Sequence, residues 1–309
     1  MNFYWTLLRA TVKRLKFALF PQEKKLRSKY GYQSNFRPIF IIGPPRSGST
    51  ILYQTLTNFL NVSYISNTVE LFKEEPIIGF SVHYALFDSK PHNSFRSSFG
   101  QTKKLIAPAE GTFWYKWLPK NVHYISPEQL NDSAKQLFSD TINAILNKFQ
   151  KNLIIKNLSF SLRLELINQL FPNAFIIYIK RNPLFNAQSV YIAYLKNNVP
   201  KNQIWSIKPK NFKQIQNLPL YQKVVAQIFS IEKHIESHAY LFKNNFLTIK
   251  YEEFTQNWQS FVKNLSTLLN IPLRTSDFSK FQIKNSNKLR LPDEIIDQLQ
   301  KQIDLYSKI

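Results

Sequence analysis

The chain has 309 residues, of which 44% are hydrophobic and 15% are aromatic. A chain of this composition can bury a full core, which excludes an intrinsically disordered protein. Its formal net charge of +22 indicates an anionic partner, and charge alone leaves nucleotides, acidic glycans, nucleic acids and lipid headgroups open. The chain has no cysteine, which excludes disulfides and thiolate metal sites and fits a reducing compartment. We therefore expect a cytoplasmic protein.

Residues 1–37 form a basic opening segment that we assign separately from a single domain over residues 38–309. The first 20 residues mix apolar and cationic side chains, a pattern that suits an amphipathic helix on an anionic membrane surface. Such attachment would be peripheral, at the inner face of the membrane. A helix packed on the domain is the alternative, and the sequence leaves both open. No stretch reaches the roughly 20 apolar residues that span a bilayer.

From residue 38 onward, short apolar runs alternate with helical patterns. One helix is predicted over residues 50–60. The series Ser126-Pro127-Glu128 predicts the start of another, which continues to about residue 149. Strands are predicted over residues 39–42, 62–65, 153–155, 175–179 and 246–249. This alternation predicts an α/β fold with a three-layer, doubly wound parallel sheet, whose ligand lies at the carboxyl ends of the strands.

The first predicted strand leads directly into a loop that is followed by a helical pattern. The loop reads Gly43-Pro44-Pro45-Arg46-Ser47-Gly48-Ser49-Thr50. Glycines let the backbone approach phosphate oxygens, the helix N terminus favours negative charge, and the serine and threonine hydroxyls add donors. A Walker-type nucleotide triphosphatase has a lysine where Ser49 stands. The loop therefore keeps the Gly-x4-Gly spacing without the kinase lysine, and its cation is Arg46.

A second candidate anion site follows the fourth predicted strand. Arg181-Asn182-Pro183 comes directly after this strand, and Ser189 lies eight residues beyond the arginine, about two turns into the next helical pattern. An arginine at a strand end and a serine at that distance can converge on one phosphate. The bidentate guanidinium supplies most of the attraction.

These two motifs resemble those of the sulfotransferases that use 3′-phosphoadenosine 5′-phosphosulfate (PAPS). Arginine at the position of Arg46 is common in the Golgi tyrosylprotein and bacterial branches of that family. The resemblance implies a P-loop NTPase-like sulfotransferase fold, PAPS as co-substrate and no metal. It also implies donor contacts from both motifs, namely Pro45, Arg46, Ser47, Gly48, Ser49, Thr50, Arg181 and Ser189.

Two further similarities extend the resemblance towards the C terminus. Tyr251, in Lys250-Tyr251-Glu252-Glu253, is similar to the tyrosine that the family often places near the adenine. Residues 287–290 resemble the late basic segment that closes over the 3′-phosphate, so the resemblance adds Lys288 and Arg290 to the expected donor contacts. The Gly-x-x-Gly-x-Trp series of the cytosolic branch is absent from the chain.

Sulfuryl transfer needs cations that stabilise charge on the leaving phosphate and a base that accepts the acceptor's proton. The candidate cations are Arg46 and Lys156, which lies at the end of the third predicted strand. Candidates for the base are Glu110 in an aromatic loop and Glu70, roughly where the family's Golgi branches carry a catalytic glutamate. His83 and His123 are the remaining candidates.

Residues 70–120 lack the alternation of strands and helices, and we interpret them as an insertion on the acceptor side. Their aromatic residues favour a carbohydrate or glycolipid acceptor with a hydroxyl or amine, because rings stack on sugar faces, and a place in the hydrophobic core is the alternative for the same residues. These residues are Phe113, Trp114, Tyr115 and Trp117. The rival interpretations are a P-loop nucleotide kinase-like enzyme and a basic nucleic-acid or membrane-surface binding module. The second leaves both anion motifs unexplained, and we expect no nucleic-acid partner.

Overall fold

A five-stranded parallel sheet forms the centre of the protein. The computed structural model describes residues 10–12, 14, 16–88, 90–97, 102–109, 111–279 and 281–308. The strands are β1 (Pro38–Ile42), β2 (Ser63–Tyr64), β3 (Leu153–Lys156), β4 (Phe175–Lys180) and β5 (Phe246–Lys250). Their order is β2-β3-β1-β4-β5, and every pair is parallel. The predicted α/β class, with a doubly wound parallel sheet, is confirmed.

The register aligns the carboxyl ends of the three central strands. Ile41 of β1 lies opposite Lys156 of β3, and Ile42 lies opposite Tyr178 of β4. The segments that follow these strands therefore leave the sheet at the same edge. Every residue of β1 is buried, as expected for a parallel strand covered on both faces.

Helices cover both faces of the sheet. They are α1 (Lys16–Tyr30), α2 (Ser49–Phe59), α3 (Asn67–Leu71), α4 (Pro76–Phe87), α5 (Asp132–Phe149), α6 (Leu164–Leu170), α7 (Pro183–Lys196), α8 (Phe212–Ile215), α9 (Leu220–His238), α10 (Tyr251–Leu268) and α11 (Asp293–Tyr306). Phe40 and Ile42 face one half of the core, and Ile39 and Ile41 face the other, with period-two alternation. The result is the three-layer arrangement that the sequence predicts.

Two predictions about the helices are wrong. The helix predicted from Ser126 begins instead at Asp132, because the Asn131 side chain caps it by accepting a hydrogen bond from Ala134 N. Pro127–Gln129 is a separate 3-10 turn. Residues 70–120 also contain α4, which the sequence pattern missed because its residues are predominantly apolar and show no polar face.

Helix α1 packs on the body of the protein, against α4 and α5. Its buried Glu23 carboxylate accepts hydrogen bonds from Ile77 N and Ile78 N at 3.1 and 3.0 Å, in the first turn of α4. Near the start of the helix, Phe17 and Phe20 are exposed, by 93% and 55% respectively. Residues 1–9, 13 and 15, which carry much of the predicted amphipathic pattern, lie outside the described residues. The separation of residues 1–37 from the domain stays a prediction.

None of the helices in the described ranges is long and apolar enough to cross a membrane.

Candidate functional site

The loop after β1 is held by polar contacts from three other segments. Ser161 Oγ accepts a hydrogen bond from Gly43 N at 3.0 Å, and Asn186 Nδ2 donates to the Pro45 carbonyl at 2.7 Å. Arg181 Nη1 donates to the Arg46 carbonyl at 3.1 Å. Arg46 has a φ of +67°, which is uncommon for a residue with a side chain, so these contacts hold a strained backbone in place.

Gly48 joins the loop to α2 and admits no side chain. Its φ is +99°, and an added Cβ would lie 2.3 Å from the ring of Tyr251. The N-cap residue of α2 is Gly48, which has no side chain to cap the helix, and the first N–H groups of a helix have no partner within the helix. Ser49 and Thr50, in this first turn, line a cavity. The helix N terminus is therefore built as an anion cradle. Ser47 is fully buried and does not line the cavity.

The second motif meets the first. Asn182 caps α7 through its side-chain oxygen, which fixes the helix that carries Ser189. Ser189 Oγ accepts a hydrogen bond from Arg46 Nε at 3.0 Å. Two motifs that lie 143 residues apart in the chain are thus joined by a direct contact.

Arg181 is the most extensively held side chain of this group. Its Nε donates to Asn287 Oδ1 at 2.8 Å and its Nη2 donates to Ser286 Oγ at 3.1 Å. Its guanidinium lies 4.7 Å from the centre of the Tyr251 ring, a cation–π contact. Burial lowers the pKa of Arg181, and the like charges of Arg46 and Arg290 lower it further, whereas Tyr251 and Glu252 act in the opposite direction.

A cavity of about 770 Å³ lies at the carboxyl edge of the sheet beside these residues. Five cationic side chains line it, and none of the described residues in its lining carries a carboxylate. The cations are Arg46, Arg96, Lys156, Arg181 and Lys284. Lys156 is buried at the end of β3. The cavity is therefore suited to an anionic ligand.

The cavity has two walls of different origin. The nucleotide wall, as we call it, is formed by the first turn of α2, Arg181, Tyr251, residues 281–284 and Ser286, with Phe95 stacked on Phe281. The second wall is formed by Tyr115, His123 and the segment Trp205, Ser206 and Ile207, and we call it the acceptor wall. Lys156 and residues 157–159 also line the cavity.

The predicted base residues are scattered. Glu70 does not line the cavity, and its carboxylate accepts hydrogen bonds from Thr112 N, Thr112 Oγ1 and Phe113 N, at the start of a 3-10 helix. Glu110 lies outside the described residues. His83 is buried away from the cavity, with Nδ1 2.9 Å from Ser66 Oγ. His123 alone of the described base candidates lines the cavity.

The aromatic residues predicted to face the acceptor are mostly core. Phe113, Trp114 and Trp117 are buried and belong to the main hydrophobic cluster. Tyr115 is the member of this group that lines the cavity. Phe113, Trp114 and Tyr115 lie in one 3-10 turn, in which successive side chains point in different directions. The first two therefore face the core while Tyr115 faces the cavity.

The late basic segment lies beside the nucleotide wall. Gln188 Nε2 donates a hydrogen bond to the Lys288 carbonyl in this segment at 2.9 Å. Burial lowers the pKa of Arg46, and the nearby charge of Arg290 lowers it further. Neither Lys288 nor Arg290 lines the cavity. The sequence prediction missed Ser286 and Asn287 as partners of Arg181. The polar series Asn285-Ser286-Asn287, immediately before Lys288, is the signal that could have identified them.

The comparisons with known proteins identify the family. A family model described as "Sulfotransferase family" matches residues 38–275. The chain belongs to this family. No curated protein sequence matches this sulfotransferase.

Solved sulfotransferase structures resemble this one. A sulfotransferase from Mycobacterium avium superposes with a TM-score of 0.53 at 12% identity, over 95% of this chain and 73% of the other. A sulfotransferase from Mycobacterium tuberculosis gives a TM-score of 0.48 at 13% identity, over 96% of this chain and 80% of the other. At this identity the first of these likenesses shows the shared P-loop-like fold.

Proposed function

We propose that this sulfotransferase transfers the sulfuryl group of PAPS to a hydroxyl or amine of a carbohydrate or glycolipid. The observation that carries the proposal is the meeting of the two donor motifs. Arg46 Nε lies 3.0 Å from Ser189 Oγ, and Arg181 donates to the Arg46 backbone. PAPS carries two anionic groups, the 3′-phosphate and the 5′-phosphosulfate, and the cavity offers cations for both.

The residues of the nucleotide wall fit the 3′-phosphate. Besides burial, the like charges of Arg46 and Arg290 lower the pKa of Arg181, and the charge of Arg290 lowers that of Arg46, so an anion beside Arg181 relieves this repulsion. Arg181 is also oriented by Ser286 and Asn287, so little side-chain freedom remains to be lost on binding. Tyr251 lines the same cavity beside Gly48 and Arg181, so an aromatic side chain lies next to this anion site, where the purine of the donor can pack.

The residues at the ends of β1 and β3 fit the 5′-phosphosulfate. The N-terminal turn of α2 presents backbone N–H groups with Ser49 and Thr50, and Lys156 lies in the lining of the same cavity. In the transfer, the acceptor oxygen or nitrogen forms a bond to sulfur while the bond from sulfur to the bridging phosphate oxygen breaks. Lys156 and Arg46 stabilise the charge that this oxygen gains. Metal binding is not part of the proposal, and no three histidine, aspartate or glutamate side chains cluster around a possible metal position in the described ranges.

We assign the base to Glu110. Glu70, the other carboxylate candidate, already accepts three hydrogen bonds that hold residues 112 and 113, and it lies outside the cavity lining. Glu110 directly precedes Gly111, at which an added Cβ would meet the Glu70 carboxylate, and it lies in the chain segment that leads to the cavity residue Tyr115. The acceptor's proton passes to the Glu110 carboxylate as the new bond forms.

Attachment to an anionic membrane would bring the enzyme to a glycolipid acceptor. The support is the exposed side of α1, where Phe17 and Phe20 are followed by Lys24 and Lys25, an apolar and cationic combination that binds anionic lipid surfaces. Sedimentation with anionic vesicles should show binding that weakens as salt is raised. If a variant lacking residues 1–30 binds vesicles as well as the full chain, this part of the proposal fails.

The activity is tested by incubating the purified protein with PAPS that carries a radioactive sulfur, against a panel of glycans, glycolipids and phenols. We expect transfer to a sugar hydroxyl or amine without added metal. Transfer to phenols alone would overturn the acceptor class, and the absence of transfer to every member would count against the activity itself.

A further inference from the structure

His123 lies in the acceptor wall with one ring nitrogen occupied by the backbone. Lys208 N donates a hydrogen bond to His123 Nδ1 at 2.9 Å. A backbone amide always carries its hydrogen, so Nδ1 must be the unprotonated nitrogen. In the neutral ring the proton is therefore on Nε2. The tautomer follows from the identity of the partner and needs no observed hydrogen position.

The segment that holds His123 is itself firmly positioned. Gln227 is fully buried and its Nε2 donates to the carbonyls of Trp205 and Ile207, both at 2.7 Å. Between these carbonyls Ser206 has a φ of +63°, a conformation that a residue with a side chain adopts only under constraint. Tyr194 Oη completes the arrangement by donating to Gln227 Oε1 at 3.1 Å. The amide of Lys208 is thus held where His123 can accept from it.

Burial and the charges around the ring keep it neutral. Burial lowers the pKa of His123 to about 4, and Arg163 and Lys208 contribute to the same direction. Arg163 is fixed by donating to the carbonyls of His123, Pro119 and Val122, so its charge stays beside the imidazole. Lys156 lines the same cavity as His123 and adds a further positive charge there. At neutral pH the ring is a donor at Nε2 and has no free acceptor nitrogen.

We infer that His123 donates its Nε2–H to an oxygen of the acceptor molecule and holds the acceptor for attack, and that it is not the base. The inference rests on the proposed function. It follows from the position of His123 in the lining of the same cavity as the two donor motifs, which an acceptor must share with the donor to reach the transferring group. The described residues show no hydrogen-bond partner for Nε2, so the donor is available to a ligand. Acceptors that present an oxygen next to the reacting group, such as the adjacent hydroxyls of a sugar, match this donor.

Two substitutions separate a donor from a base. Glutamine in His123→Gln supplies an amide oxygen for Lys208 N and an N–H for the acceptor, but it cannot take up a proton. We expect His123→Ala to raise the acceptor KM by about tenfold, the effect of one lost hydrogen bond to a neutral group, with an unchanged affinity for 3′-phosphoadenosine 5′-phosphate (PAP). His123→Gln should restore most of the acceptor affinity and leave the pH profile of turnover between pH 6 and 9 unchanged. If His123→Gln loses turnover as completely as His123→Ala, the ring is the base and the inference is wrong.

The tautomer is measured without any acceptor. Long-range proton–nitrogen spectra of the labelled protein with PAP, recorded for the wild type and for His123→Gln to identify the signals, should show the neutral Nε2–H form at pH 7. An Nδ1–H form or an imidazolium at pH 7 would overturn the inference. The kinetic variants are assayed with the acceptor from the panel that gives the fastest transfer. If the wild type transfers the sulfuryl group to no member of the panel, the proposed function is wrong, whereas the spectra still decide the tautomer.

Discussion

The nucleotide wall and the acceptor wall of the cavity are built in different ways. The nucleotide wall combines an irregular segment, residues 281–286, with residues at the ends of strands and the starts of helices, where the parallel sheet brings Gly48, Arg181 and Tyr251 to one edge. The acceptor wall consists of irregular segments, held by side chains such as Gln227 and Arg163 that bind backbone carbonyls. The sheet thus dictates the position of the two anion motifs in the first wall, and loop packing dictates the second wall. Loops can change without disturbing the sheet, so the second wall can vary while the first is kept.

The sharpest contrast concerns the two acidic residues proposed for the base. We expect Glu110→Gln to lower turnover by about 10²–10⁴-fold, the contribution of a general base, while the affinity for PAP persists. Glu70→Gln is the matched control. It should lower thermal stability, because an amide cannot accept all three hydrogen bonds around Thr112, and change turnover much less.

These two variants are compared by steady-state kinetics, calorimetry with PAP and thermal unfolding. If Glu70→Gln abolishes transfer and Glu110→Gln does not, the assignment of the base is wrong, although the donor site is unaffected.

Lys156 tests whether charge at the floor of the cavity acts in the chemical step. Lys156→Met keeps most of the side-chain volume and removes the charge, so turnover should fall by about 10²–10³-fold. Lys151→Met is the control: it removes the same charge two residues before β3, at a position outside the cavity lining. Turnover of this control should stay near that of the wild type. Equal losses in both variants would mean that overall charge, and not position, matters.

Arg181 tests the nucleotide wall separately from the chemistry. Arg181→Lys keeps the charge and loses the planar fork that binds Ser286 and Asn287. The donor KM should rise by about 10–100-fold with a smaller change in turnover. Arg37→Lys is the control for the same exchange, because Arg37 lies directly before β1, at the end of the strand away from the cavity. A fall in turnover with an unchanged donor KM would show that Arg181 acts on the reaction and not on binding.

The smallest effect concerns His92, which anchors the segment that leads to Phe95 of the nucleotide wall. His92 Nε2 lies 3.0 Å from the Gln54 carbonyl, and Nδ1 accepts from Ser94 N. Burial lowers its pKa from 6.5 to about 3. Below about pH 6.5, His92 therefore binds a proton in the unfolded chain but stays neutral in the folded chain. The free energy of unfolding falls as the pH drops from 6.5 towards 3. Charged neighbours Arg274 and Lys104 act in the same direction.

Thermal unfolding between pH 4.5 and 8 measures this dependence. His92→Gln should be less stable at pH 8 and should lose less stability on acidification than the wild type. Parallel curves for the two proteins would show that His92 does not contribute to the acid dependence.

The sequence predicted the regular half of the molecule better than the irregular half. The five strands and helix α2 appear close to the predicted bounds because their apolar periodicity is strong. The position of both donor motifs at one edge of the sheet was also predicted, since strand ends of a parallel sheet share one edge, whereas the contact between Arg46 and Ser189 was not predicted. The core positions of Phe113, Trp114 and Trp117 could not be predicted from the sequence, because an aromatic residue in a loop carries no sign of whether it faces the core or a ligand.

The polar contacts of the acceptor wall could not be predicted from the sequence either. Nothing in the pattern around Gln227 indicates that it binds the carbonyls on both sides of Ser206, because those partners lie about 20 residues away and are backbone groups. Likewise, Glu70 was predicted as a possible base from a resemblance, whereas its contacts depend on how residues 112 and 113 fold back onto α3. Long-range side-chain to backbone contacts of this kind are settled by tertiary packing.

The central claim is that Arg181 and its neighbours form a site for a 3′-phosphate, and calorimetry without metal tests it most directly. PAP and AMP differ only in that phosphate. We predict that PAP binds about 100-fold more tightly than AMP, since charge-assisted hydrogen bonds contribute about 1.5–3 kcal/mol each. In Arg181→Ala most of this difference should disappear. Equal affinities of the wild type for PAP and AMP would contradict the account.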